Sequence, residues 1–154
     1  MPRFEERFTV QAPPETVWGF LLDPKRLAPC IPGCEDLEIV DERRYAMRLT
    51  VKVGFLSTRQ AIVMEIVEED PPRRLVSKGH GEDKLLGSQV DVQTTLELSP
   101  EGQGTRVAYT SEVRVLGRLG SIGDAVMKVK AGQLAAEFAG NVKAALDRDP
   151  DRTG

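Results

Sequence analysis

The chain has 154 residues, of which 40% are hydrophobic and 29% are charged, and its formal net charge is −3. This length and composition are typical of one soluble globular domain and exclude a disordered chain. The acidic balance, with both signs interspersed, argues against nucleic-acid binding, which usually needs a basic face.

The N-terminal segment combines a strand signal with a short helical signal. Residues 3–11 place Phe4, Phe8 and Val10 among charged residues and predict a strand. The segment APPETVWGFLLDP that follows predicts a short helix with prolines in its first turn, and PKRLA adds one further turn. MPRFEERFTV lacks the apolar run of a signal peptide, and no segment approaches the ~18 apolar residues of a membrane helix. The expected compartment is therefore the cytoplasm.

From Tyr45 onward the hydrophobic period is that of strands. The odd positions from Tyr45 to Phe55 are all apolar, and Ile62, Met64 and Ile66 share one face of the next run. Asp70-Pro71-Pro72 predicts a turn, and RRLVSKG predicts a weaker strand. Two further alternating runs, at 86–98 and 105–116, flank the hairpin loop SPEGQG. Their predicted inward residues are Val90, Val92, Thr94, Leu96, Leu98, Val107, Tyr109, Val113 and Val115.

The last segment predicts a long amphipathic helix. It begins near Ser121, a candidate N-cap with Asp124 three residues later, and extends for about 26 residues, or ~39 Å at the helical rise. Its apolar stripe consists of Ile122, Val126, Val129, Leu134, Phe138, Val142 and Leu146. Gly132 and Gly140 interrupt it, which indicates a close approach of backbone or ligand. Residues 149–154 are expected to fray.

The order of elements predicts an α+β domain over residues 1–148. Consecutive strands with short connections pair antiparallel, and an apolar sheet face needs a cover that only the long helix is large enough to provide. We therefore expect a curved antiparallel sheet of about six to seven strands wrapped around the C-terminal helix, with two short helices after the first strand. Such a sheet can leave an apolar cavity beneath the helix.

Five segments carry a family resemblance: VWGFLLDPKRLAPCIPGCEDLE, VKVG, EEDPPRRL, GTRVAYTSEVRVLGRLGSIG and AAEFAGNV. They resemble CoxG, the family of the G subunit of carbon monoxide dehydrogenase, within the START/Bet v 1-like, polyketide cyclase-like superfamily of helix-grip proteins. The resemblance implies an accessory protein that assists maturation or membrane recruitment of a molybdenum hydroxylase of the CO dehydrogenase type. Longer family members carry a C-terminal apolar segment, so this sequence is expected to be a homologue without it or a shortened chain.

Three motifs resemble chemical sites, but the sequence around each of them argues against that function. CIPGC at 30–34 has C-x3-C rather than C-x-x-C spacing, without a second pair, and its Pro32 and Gly33 favour a turn over a redox or metal site. His80, the only histidine, is expected in an exposed loop or at a strand end rather than as a general base. GRLGSIG at 117–123 lacks the phosphate-loop spacing and predicts a hinge at the cavity mouth, where Leu119 and Ile122 could meet a ligand or a membrane.

Three functions are open on these grounds: a carrier of a small apolar ligand such as a lipid or quinone, a docking adaptor with a patch around Leu119 and Ile122, and a cyclase- or dehydratase-type enzyme. The enzyme is disfavoured because Glu65, Asp91 and Glu112 are predicted on outer faces, leaving Tyr45 and Tyr109 as inward titratable groups. Small or polar inward positions (Ala61, Ser88, Thr94, Ser111, Ala131 and Ala135) favour a cavity. No catalytic residue, metal ligand or cofactor is predicted. The predicted ligand-binding residues are Leu49, Val51, Val53, Ile62, Met64, Val92, Thr94, Leu119, Ile122, Val126, Leu134 and Phe138.

Overall fold

The computed structural model describes residues 3–147, which form one seven-stranded sheet and three α-helices. The elements in chain order are β1 (Arg3–Val10), α1 (Pro14–Leu21), α2 (Pro24–Leu27), β2 (Cys34–Ile39), β3 (Arg44–Val53), β4 (Leu56–Asp70), β5 (Arg74–Asp83), β6 (Ser88–Glu101), β7 (Gly104–Gly117) and α3 (Asp124–Asp147). Short 3₁₀ turns, Ala28–Cys30 and Arg118–Ile122, precede β2 and α3. The tail predicted at 149–154 lies outside the described residues.

Strands β2 to β7 form a meander, and β1 pairs with β7 as the edge strand on that side. Its order is β1-β7-β6-β5-β4-β3-β2, and every neighbouring pair is antiparallel. The curved sheet surrounds the C-terminal helix, which packs most closely against β1. The predicted α+β fold, with two short helices between β1 and β2, is confirmed.

Strand parity determines which side chains face the helix. In β4 the buried residues are Thr58, Gln60, Ile62, Met64 and Ile66, and the residues between them are exposed. Ala61 was predicted to face inward and instead lies on the outer face, because it alternates with Ile62. Phe55 was predicted to continue the inward row of β3, but β3 ends at Val53 and Phe55 lies in the hairpin turn, 88% exposed.

Two connections differ from the sequence-based expectation. Strand β5 continues to Asp83, so His80 is a paired strand residue opposite Val63 and Asp91 rather than a loop residue. The predicted loop at 99–104 is a turn at 102–103, because β6 extends to Glu101 and β7 begins at Gly104.

The start of the long helix also differs. Helix α3 begins at Asp124, and the Ser121 hydroxyl donates a 2.6 Å hydrogen bond to the Arg118 carbonyl within the preceding 3₁₀ turn. Ser121 therefore closes that turn, and the predicted N-cap is wrong. Ile122, the first residue of the predicted stripe, therefore lies in the 3₁₀ turn and not in the helix.

The buried apolar residues form two separate clusters. The larger joins the C-terminal half of α3, through Val142 and Leu146, to α1, β1 and the adjoining parts of β6 and β7. The smaller consists of Met47, Ile62 and Met64 on β3 and β4. The N-terminal half of α3 contributes to neither cluster, and it is this half that covers the candidate site.

Candidate functional site

An apolar cavity of about 290 Å³ lies between the inner face of the sheet and helix α3. Strands β3 to β7 form its floor and walls, α3 and the turn at 118–122 cover it, and α1, α2 and the 31–32 turn close one end. Its lining is mostly Val, Leu, Ile, Met and Phe, with few polar groups. The cavity that the sequence predicted is present, and its volume is at the lower end of the usual range for small-molecule sites.

Helix α3 is anchored mainly through its C-terminal half and covers the cavity mainly with its N-terminal half. Val142 and Leu146 are fully buried, whereas Val126 and Val129 are 41% and 63% exposed. Between them the small residues Ala131 and Ala135 face the cavity and do not fill it. The gap beneath the helix therefore lies where these alanines stand between the larger lining residues Met127, Leu134 and Phe138.

Most predicted ligand-binding residues lie in the cavity wall. Ten of the twelve are lining residues: Leu49, Val51, Val53, Ile62, Met64, Val92, Thr94, Leu119, Leu134 and Phe138. Ile122 and Val126 are not, because the helix presents Met127, Lys130 and Ala131 to the cavity in that turn. Their side chains pack instead beside Gly54, where an added Cβ would lie 3.8 Å from each. Ligand binding by the ten remains a prediction.

The helix glycines do not mark a close approach. An added Cβ at Gly132 or Gly140 would find no neighbouring atom within 4 Å. The expected close approach of another part of the backbone to these glycines is therefore wrong. Both positions face open space.

Two tyrosines are titratable groups within the lining. Burial, and secondarily the nearby Tyr109, raise the pKa of Tyr45 to about 12. Burial also raises the pKa of Tyr109, opposed by a hydrogen bond with Ser111, and its ring lies 5.5 Å from that of Phe138. Both phenols are therefore neutral near pH 7 and are poor proton acceptors.

The sequence analysis missed a buried polar group at the β4–β5 side of the cavity. Asp83 accepts hydrogen bonds from the Thr58 hydroxyl at 2.8 Å, the Arg59 N–H at 2.9 Å and the Leu86 N–H at 3.1 Å. Gln60 Nε2 donates to Thr58 Oγ1 at 2.9 Å and to Ser88 Oγ at 3.0 Å. Burial raises the pKa of Asp83, but these N–H and hydroxyl donors outweigh it and the net shift is downward. Extending the alternation of Ile62 and Met64 backward would have placed Gln60 and Thr58 inward.

The Cys30, Cys34 and His80 side chains make their hydrogen bonds outside this polar group. Cys30 ends a 3₁₀ turn, Cys34 begins β2, no disulfide joins them, and Gly33 has φ 78°, so the predicted turn is confirmed. His80 is half-exposed on the outer face, with Nδ1 2.7 Å from Asp91 and Nε2 3.3 Å from Glu82. Within residues 3–147, no group of three or more His, Cys, Asp or Glu side chains is arranged to hold a metal ion.

The 117–123 segment forms part of the cavity cover. Gly117 and Gly123, at its two ends, have φ of 80° and 105°, and a Cβ at Gly117 would clash with the Gly87 carbonyl. Leu119 is only 2% exposed and lines the cavity. It therefore cannot contribute to the exposed docking patch that was one sequence-based alternative.

Comparisons with known proteins agree with the predicted resemblance. A family model for CoxG, the G subunit of carbon monoxide dehydrogenase, matches residues 7–147. No protein with a curated description matches the chain. In the part of the chain that the structure describes, no helix has the length and apolar character needed to cross a membrane.

Solved structures share the fold at low sequence identity. A conserved protein from Geobacillus kaustophilus superposes with a TM-score of 0.83 at 24% identity, over 92% of this chain and 93% of that one. A protein from Chromobacterium violaceum gives a TM-score of 0.74 at 21% identity, over 97% and 100%. The Zhui aromatase/cyclase from Streptomyces sp. R1128 gives 0.71 at 18% identity, over 99% and 97%. These structures confirm a fold shared with aromatase/cyclase-type proteins and do not establish an activity for this chain.

Proposed function

The chain belongs to the CoxG family of carbon monoxide dehydrogenase, and on that premise we propose that it is a non-catalytic accessory protein that holds a small apolar ligand beneath α3. The cavity of about 290 Å³ is the observation that carries this proposal. A filled core would have placed large side chains at Ala131 and Ala135, where the helix instead leaves space.

The lining favours a lipid chain or a quinone over a charged metabolite. Hydrocarbon side chains form most of it, so an apolar ligand would gain the free energy of leaving water. The two tyrosines offer neutral hydroxyl groups, and the cationic lining residue is Lys130, which lies on α3 and is partly exposed. A ligand with an apolar body and one polar end fits this distribution.

The same lining supports a non-catalytic role. General acid–base chemistry needs a group that titrates near neutral pH within reach of the substrate. No carboxylate or histidine lines the cavity within the described residues, and both tyrosines have raised pKa values. Glu65 and His80 lie on the outer face of the sheet.

Family membership supports the partner. We propose that the chain assists the maturation or membrane recruitment of a molybdenum hydroxylase of the CO dehydrogenase type. A quinone carrier would suit such a partner, because electrons removed from CO need an acceptor. Absence of the partner enzyme from pull-downs under conditions that express it would contradict this part of the proposal.

Mass spectrometry of an organic extract of the purified protein tests the ligand directly. We expect one apolar molecule per chain. We expect this molecule to be lost in the Val92→Trp and Leu134→Trp variants, because each places an indole ring in the cavity. Val63→Trp is the matched control, since Val63 is 46% exposed on the outer face of β4. A ligand-free protein that also fails to bind added lipids and quinones would overturn the carrier function and favour a docking adaptor.

A second candidate role, peripheral membrane contact, is favoured by exposed apolar residues at one end of the molecule. Phe55 and Leu85, in the β3–β4 and β5–β6 turns, are almost fully exposed, and Val126 and Val129 lie on the first turns of α3. We call these four residues the tip surface. Exposed apolar side chains clustered at one end of a soluble domain mark an interaction site.

Charge near the tip surface indicates an anionic lipid surface as its partner. Lys52, Lys84, Arg118 and Lys128 are exposed beside it, opposed by Asp124, although the chain as a whole carries −3. Basic residues beside inserted apolar side chains are the usual means of binding anionic membranes. Contact here would bring the cavity cover against the bilayer that supplies an apolar ligand.

Sedimentation with phosphatidylglycerol–phosphatidylcholine vesicles tests this contact. We expect binding that weakens with salt and is lost in the Phe55→Ser/Leu85→Ser variant, whereas Val63→Ser, which removes an exposed valine from the outer face, retains it. Equal sedimentation of the wild-type protein and the double variant would refute the assignment of the tip surface.

A further inference from the structure

The buried amide of Gln60 has one group without a partner. Among the residues that the structure describes, Oε1 of Gln60 is the buried side-chain oxygen or nitrogen that makes no hydrogen bond. Gln60 is 4% exposed and is a cavity-lining residue. A buried acceptor left unpaired costs free energy, so its presence indicates a use.

The hydrogen-bond network determines which end of the amide is unpaired. Asp83 is ionised and only accepts, so the Thr58 hydroxyl proton is committed to the 2.8 Å bond with Asp83. Thr58 Oγ1 can then only accept from Gln60, and the group 2.9 Å from it must be the N–H₂. If the amide were reversed, Gln60 Oε1 would face Thr58 Oγ1, and both atoms would be acceptors. The unpaired group is therefore the carbonyl oxygen.

The oxygen lies over the backbone of the neighbouring strand β5 at Gly81. Gly81 lies at an inward position of β5, opposite Ile62, and an added Cβ there would come within 3.0 Å of Gln60 Oε1 and 2.6 Å of Ile62 Cγ1. The lack of a side chain at Gly81 lets the Gln60 amide lie against this backbone, where its oxygen is buried without a hydrogen-bond donor. The two neighbouring hydroxyl groups do not donate to it: the Thr58 proton goes to Asp83, and Ser88 makes no hydrogen bond to Oε1.

We propose that Gln60 is a specificity-determining residue whose Oε1 accepts a hydrogen bond from a hydroxyl or N–H group on the apolar ligand. The inference rests on the proposed ligand-binding function and narrows the ligand to one with a donor at its polar end, such as an alcohol, a phenol or a hydroquinone. A carbonyl or ether oxygen of a ligand in the same place could not donate a hydrogen bond, and it would face Gln60 Oε1 as a second acceptor. The oxidised form of a quinone would thus be held less well than its reduced form.

Two probes of similar shape test this preference. 2-Naphthol and 2-methylnaphthalene differ in a hydroxyl for a methyl group, and their Kd values are measured for the wild-type protein and for Gln60→Met, which keeps the side-chain length without the acceptor. We expect the preference for the naphthol, as a ratio of Kd values, to fall about tenfold in Gln60→Met. Gln93→Met, on the exposed outer face of β6, is the matched control and should leave the ratio unchanged.

The outcomes separate this inference from the proposed function. If both probes bind and the ratio is the same in all three proteins, the Gln60 assignment is wrong while the carrier function stands. If neither probe binds any of them, the cavity does not take ligands of this class and both proposals fall. If Gln60→Met does not fold, the Kd values of 2-naphthol and its methyl ether are compared for the wild-type protein alone. Tighter binding of 2-naphthol is expected, and equal Kd values would overturn the inference.

Discussion

Matched truncations on helix α3 test whether the helix is anchored at one end and covers a cavity at the other. Leu146 is fully buried in the larger cluster, so Leu146→Ala removes close-packed contacts and leaves a new void. Such substitutions cost about 2–5 kcal/mol. Leu134 borders a cavity that already exists and is partly exposed, so Leu134→Ala adds little new void and loses only part of a transfer free energy, about 1 kcal/mol.

Urea denaturation followed by circular dichroism gives the free energy of unfolding for both variants. The expected difference between them, at least ~1–2 kcal/mol, exceeds the error of linear extrapolation when the two share an m-value. Both are the same chemical change in the same helix, so helix propensity cancels. Equal losses would mean that the N-terminal half of α3 is packed as tightly as the C-terminal half, and the argument for a ligand cavity would fail.

Individual glycine, histidine and tyrosine positions give three further predictions. Gly140→Ala should stabilise the protein by about 0.5–1 kcal/mol in the same assay, because its Cβ meets no atom, whereas Gly117→Ala should destabilise it, because φ there is 80°. Hydrogen bonds to Asp91 and Glu82 raise the pKa of His80, so NMR titration should give a pKa above 6.5. The stability that protonated His80 contributes is complete below the unfolded-state pKa and falls as pH rises through the folded-state pKa. This pH dependence should be absent in His80→Gln. Ultraviolet titration should show a tyrosine ionising only near pH 12, missing in Tyr45→Phe; ionisation of every tyrosine near pH 10 would contradict the burial of Tyr45.

The cavity walls were predictable from the sequence because strands alternate with a period of two. Once Ile62 is inward, parity places Met64, Gln60 and Thr58 on the same face, and the pairing partners follow the same rule. The helix was less predictable, since its apolar residues recur at mixed spacings and its inner side depends on where it starts. The predicted stripe included Val126 and missed Met127 and Lys130, which line the cavity. The Asp83 network depended on the β4–β5 register, which no local pattern encodes.

The register of β4 and β5 also explains how the cavity floor stays open. Gly79 and Gly81 occupy inward positions of β5, and the long side chains of Met64 and Gln60 lie over their bare backbone instead of projecting towards the helix. Any larger residue at either glycine would lift those side chains into the cavity. The two glycines weaken the strand, since glycine orders at a greater entropic cost and has no side chain to pack. The fully buried Val142 and Leu146 offset that loss at the other end of the molecule, so stability and ligand space are separated along α3.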